Sequence, residues 1–210
     1  MKSVRFQSSS SRVHLELYRS SDPRARRGVA TVWLVLFLPL LLLLLCFVVE
    51  IGNLWMARAE LETALEAAAL AAVKEWGDNS GGDTLVERNV GVTVAAANDV
   101  RGNPLVIVTN YNNANPNDNS STAVPSATAN LIFGAITSTN PTVVLNAGVV
   151  PTCPTGVFGV LAQEEVTITP VCGSLFGAVL GPYTVRGRSV AMYNCTDRCP
   201  TAVRVDTYVP

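Results

Sequence analysis

Residues 29–49 read VATVWLVLFLPLLLLLLCFVV, and residues 53–76, a few positions on, read NLWMARAELETALEAAALAAVKEW. The first stretch carries no charge, and apart from Thr31 and Pro39 it is entirely hydrophobic. Coiled as a helix rising about 1.5 Å per residue, it is about 30 Å long, the thickness of the hydrocarbon core of a bilayer. A helix that is apolar all round for this length finds its natural solvent in lipid. Pro39 removes one backbone hydrogen bond, which a membrane helix tolerates as a local kink. An apolar run of this length exceeds the core of a cleaved signal peptide. The triplet Ala57-Arg58-Ala59 lies well past it, so the reading is a retained anchor.

Charge sets the orientation. Residues 1–27 hold seven basic and two acidic side chains, a balance of +5, while the remaining 183 hold eight and fourteen, a balance of −6. Arg24, Arg26 and Arg27 stand directly before the span. The excess of cations on that side predicts a basic cytoplasmic tail over 1–27, with the chain beyond the span outside the inner membrane.

The second stretch is built from strong helix formers, so the helix is expected to run on as a stalk to Trp76. Leu54, Leu61 and Ala68 recur every seven residues, with Ala57, Ala64 and Ala71 beside them, a packing stripe along one helix face. That stripe fits either the chain's own later domain or a neighbouring subunit. Glycines and turn residues over 77–83 (GDNSGGD) end the helix.

Downstream, residues 77–210 read as a small β-rich domain. Residues 85–100 mix helical and strand patterns, RGNP at 101–104 is a turn, and 105–109 is a short strand candidate. The Asn-rich stretch 110–130 has too little apolar material to bury and reads as an exposed loop. Further strands are expected at 130–133, 142–150, 164–170, 183–193 and 202–209. The predicted fold class is α+β: a long transmembrane-plus-stalk helix over 28–76, then a disulfide-containing β-rich domain.

Four cysteines, Cys153, Cys172, Cys195 and Cys199, fall in the part expected outside the cytoplasm, where an even number suggests two disulfides. Cys46 lies within the apolar run and reads as a small apolar residue. A zinc site at Cys195 and Cys199 lacks nitrogen ligands, since the one histidine, His14, precedes the span. The same absence removes Ser–His and Cys–His pairs. Neither phosphate-binding glycine motif occurs. Glu164 and Glu165 are adjacent on a predicted strand and point to opposite faces, which suits no acid–base pair. The segment 118–122 (DNSST) only loosely matches a metal-binding D-x-S-x-S pattern, and the triplets at Asn119 and Asn194 match the short glycosylation signal. With 15% charged residues and a net charge of −1, the chain carries no field for nucleic acid. No cofactor, metal, nucleic acid, small-molecule substrate or enzymatic activity is expected.

Residues 26–73 resemble the N-terminal segment of the TadE/TadG-like family of Flp pilus-assembly proteins. The resemblance rests on a basic pair before Gly28, Pro39 within the span, Glu50 and Gly52 closing it, and the Ala/Leu-rich helix 59–72. Residues 95–104, 131–134 and 166–193 resemble the later TadG-like part more loosely, which implies a helix over 86–98. The resemblance implies a structural role in assembling or anchoring a pilus or secretion apparatus, with the bilayer and other pilus proteins as partners. The family's longer members carry an adhesion domain, for which this chain is too short. Processing after Gly28 would be expected to leave Glu at the fifth mature position, whereas Trp33 stands there. Two other readings stay open: a minor pilin-like subunit polymerised through the Leu54/Leu61/Ala68 face, and a membrane-tethered surface-binding domain.

Overall fold

A computed structural model describes residues 23–111, 130–138, 143–173, 181–203 and 207–209. The segment 118–122, Asn119, most of the Asn-rich stretch, the residues before Pro23 and residues 174–180 lie outside the described residues. The chain divides into two compact units, residues 1–45 and 46–210.

Helix α1 runs Pro23–Asp78 with Pro39 inside it. Among the described residues this is one helix long and apolar enough to cross a membrane, and its most apolar stretch has a mean hydropathy of 3.1. From Ala30 to Leu45 every side chain is exposed. The helix ends where Asn79 and Gly81 donate back to the carbonyls of Glu75 and Trp76, with Gly81 at a φ of +82° that favours glycine.

Helix α2 (Leu85–Ala96) follows, resolving the ambiguous 85–100 stretch as helix and then strand. Strands β1 (Asp99–Val100) and β2 (Asn103–Pro104) form a two-residue hairpin. Arg101 and Gly102 occupy its turn with positive φ, matching the twist of the flanking strands. Residues 105–109, expected as a strand, form no ladder with any described strand. Leu105 and Ile107 turn inward while Val106 and Val108 face out, so the alternation came from burial without pairing.

The main sheet holds β3 (Leu131–Ser138), β4 (Val144–Ala147), β5 (Val157–Ile168), β6 (Tyr183–Asn194), β7 (Cys199–Val203) and β8 (Thr207–Val209). Their spatial order is β7-β6-β5-β3-β4-β8, antiparallel except for β4 with β8. The expected strand 164–170 begins earlier, at Val157. Its first half is buried on both faces and interrupted by Gly159, so it shows no alternation to read. The expected 202–209 strand splits into β7 and β8, which lie on opposite edges.

That split dictates the curvature of the sheet. Five interstrand spacings of about 4.8 Å put the edges of a flat sheet about 24 Å apart. Yet Val203 and Thr207 are joined by three residues, a reach of at most about 14 Å. The sheet therefore curls so that its edges approach. One face then encloses its own core of Ile132, Ile136, Leu145, Leu161 and Val190. A Cβ on Gly159 would come within 2.7 Å of Ile136 and Leu145 there, so glycine is what the enclosed space admits. A bulge between Ile136 and Ser138 bends β3.

The other face receives the helices. Leu61, Leu65, Ala68, Ala72 and Trp76 of α1 pack with Phe133, Phe158, Val160, Ala191 and Tyr193. Trp76 meets the rings of Phe133 and Phe158 edge-on at 5.1 and 4.8 Å. Gly187 of β6 lets the helix close in, since a Cβ there would lie 2.8 Å from Leu61. Arg88 of α2 is fully buried beneath α2, donating to the carbonyls of Leu131 and Thr109 and lying 4.6 Å over the ring of Phe133. The carbonyl bonds and the ring offset the cost of burying its charge.

Candidate functional site

The distinctive polar features of this unit cluster around the start of its share of α1. Cys46, Glu50 and Asn53 occur at spacings of four and three, so they line one helix face. Against that face lies the segment following β5. Glu50 is almost fully buried, and its Oε2 accepts the backbone N–H groups of Val171 at 3.0 Å and Cys172 at 3.3 Å. Two amide donors partly offset the cost of burying the carboxyl group. They also bring Cys172 to Cys46.

This corrects the cysteine assignment. The two disulfides are Cys46–Cys172 and Cys153–Cys195, with Cα separations of 6.0 and 5.7 Å, and Cys199 is a free, exposed thiol. Cys199 opens the edge strand β7, paired in register with Asn194. Cys46 was read as an apolar residue because hydropathy places it in the span. Its helical phase, one turn before Glu50, faces the segment that carries Cys172.

Of the proposed helix-packing positions, Ala57, Leu61, Ala64 and Ala68 are buried, and Leu54 and Ala71 are half-buried. Leu65, Ala69, Ala72, Val73 and Trp76 are also buried and lay outside the seven-residue reading. Continuing the stripe at 3.6 residues per turn reaches them. Arg24, Arg26, Arg27 and Gly28 fall within α1. Gly52 faces open space, where a Cβ would meet nothing within 4 Å.

Beside Asn53 opens a cleft of about 610 Å³. One wall is the β1–β2 hairpin with Leu105 and Val106, and the other is the second half of β5 continuing to Val171. The hairpin is held to α1 because Arg101 N–H donates to Glu60 Oε2 at 2.7 Å. Asn53 is 7% exposed, and its Oδ1 has no hydrogen-bond partner. On the β5 wall, Glu164 accepts from Asn130 Nδ2 and Glu165 N–H, while Glu165 pairs with Arg186 across the strands. Burial, together with the neighbouring Glu165 charge, pushes the Glu164 carboxyl above its ordinary range despite the bonds from Glu165 N–H and Asn130. At the far end of the helix–sheet contact, Tyr193 donates to Asp78 at 2.8 Å, and burial followed by that carboxylate raises the phenol's pKa. Neither pairing forms a nucleophile with its base. The arrangement is suited to holding a helix against the sheet.

Comparison with known proteins adds one finding. Residues 28–75 match the model of the Tad family, described as Flp pilus-assembly TadE/G-like. The matched stretch is the apolar run and the packed half of α1, including Glu50 and Asn53. No curated protein and no solved structure matches the chain significantly.

Proposed function

We propose that the chain is a single-pass inner-membrane component with a structural role in assembling or anchoring a Tad-type Flp pilus or secretion apparatus. The observation that carries this reading is the family match over residues 28–75, which coincides with a helix apolar enough to span a bilayer and packed beyond it on a β-rich unit. The excess of basic residues over 1–27 supports a cytoplasmic N-terminus, with residues 77–210 on the periplasmic side. Two disulfides support that side, because oxidising compartments maintain them. The role needs no catalytic group: the helix anchors, and the outer unit contacts other pilus proteins.

Burial of Leu61, Ala64 and Ala68 against the chain's own sheet favours this anchored role over a pilin-like subunit polymerised through the same face. Deleting the protein in its native cell is expected to remove surface pili, scored by electron microscopy, and to lower surface attachment. Unchanged piliation and attachment overturn the assignment.

A further inference from the structure

Helix α1 is inside out between Phe47 and Met56. Every exposed side chain of that stretch is apolar: Phe47, Val48, Val49, Ile51, Trp55 and Met56. Its two polar side chains, Glu50 and Asn53, are the buried ones. A helix in water carries the opposite pattern, and α1 adopts it from Arg58 on, where Arg58, Glu62 and Glu66 face out. Apolar outside and polar inside suits lipid. The exposed surface of α1 therefore matches a membrane for about two turns beyond the end of the uncharged run at Val49. Trp55, 75% exposed, marks the level of the membrane–water interface, where tryptophan concentrates.

A second segment is tied to the helix below that level. Cys46 precedes Trp55 by nine residues, about 13 Å along the axis. Cys172 is bonded to it with a Cα separation of 6.0 Å, so Cys172 lies at least about 7 Å below Trp55. Irregular backbone is tolerated at membrane depth only where its polar groups are satisfied within the protein. Residues 170–172 meet that demand for all their donors. Pro170 has no N–H, and Glu50 Oε2 accepts those of Val171 and Cys172. Between them the Val171 side chain is 55% exposed.

We propose, on the reading of α1 as a membrane span, that residues 170–172 are seated in the bilayer with Val171 against lipid acyl chains. Glu50 is then the group that makes the position habitable, since it caps the two N–H groups the lipid cannot. The depth follows from one covalent bond and two hydrogen bonds, all among described residues.

The test places the photoreactive residue p-benzoylphenylalanine, one site at a time, at Val171, Leu41 and Glu62 of the full-length protein. Each variant is reconstituted in vesicles of phosphatidylcholine and phosphatidylglycerol, illuminated, and weighed by intact mass spectrometry. A gain of one phospholipid mass is expected at Val171 and Leu41 and no gain at Glu62. Should the Val171 variant fail to accumulate, Val171→Trp answers the same question through quenching of its added fluorescence by dibrominated phosphatidylcholine. Leu41→Trp and Glu62→Trp are its quenched and unquenched references. Lipid contact at Leu41 without contact at Val171 overturns the proposal and leaves the span intact. Contact at neither overturns the span, and the proposal with it. Equal contact at Glu62 also overturns the proposal, because the label then reports no depth.

Discussion

Helix α1 presents two different surfaces along its length. From Ala30 to Leu45 its side chains are exposed in every direction, mostly leucines with valine, phenylalanine and tryptophan. From Glu50 to Trp76 exposure follows the helical period: Ala57, Leu61, Ala64, Ala68 and Ala72 are buried, while Arg58, Glu62, Glu66 and Lys74 face out. Backbone propensity is satisfied in both parts, so propensity does not separate them. What separates them is how apolar surface is distributed around the axis. Large residues on all sides call for an apolar surrounding medium. Small residues on one side call for a close-fitting surface, and Gly187 supplies the space on β6.

The comparison can be broken most strongly within the first part. Replacing Leu41→Arg and Leu44→Arg together should weaken membrane insertion by about 5–7 kcal/mol, the cost of two cations near the middle of a span. Alkaline extraction of membranes should then release the protein, whereas the same pair at the exposed positions Glu62 and Glu66 should leave it bound. Trp76→Ala attacks the second part. Loss of a fully buried ring packed on Phe133 and Phe158 should destabilise the unit of residues 46–210 by about 3–5 kcal/mol, measured by denaturant unfolding, with membrane retention unchanged.

The smallest effect concerns Glu164. Its carboxyl holds a proton in the folded state at pH values where the unfolded chain has released it. Stability contributed by that proton is present in acid, declines as pH rises through the ordinary carboxylate range towards the raised value, and is absent above it. Glu164→Gln should therefore match or exceed the parent's melting temperature at neutral pH and lose this pH-dependent step. A variant that melts lower at neutral pH would place the carboxylate's hydrogen bonds above its burial cost.

The two parts of α1 also differ in how readable they are. An uncharged run of 21 residues announces itself, and the strong helix formers after it extend the helix to the glycine-rich stop that begins at Gly77. Choosing its buried face is harder, because a seven-residue spacing and a 3.6-residue spacing agree over two turns and then drift apart. Leu65 lies one turn beyond Leu61 on a buried face wider than the seven-residue rows, and Val73 and Trp76 extend it. Strand β6 was legible from its β-branched residues, but the first half of β5 was not, since burial on both faces erases the alternation. The cleft could not be read from sequence. Asn53, the hairpin at Arg101 and the end of β5 at Thr167 are brought together by tertiary packing, and no local pattern encodes separations of 48 and 66 residues. Glu50 was singled out by family resemblance, while its role in holding Val171 and Cys172 emerges only from the fold.

The bond between Cys46 and Cys172 makes a covalent ring of most of residues 46–210. A protease that cuts anywhere between those residues opens the ring without dividing the molecule. The C-terminal fragment, including β6 and the sheet edges, stays attached to the apolar helix until a reductant acts. A single cut between those residues is therefore silent on a non-reducing gel and appears only after reduction.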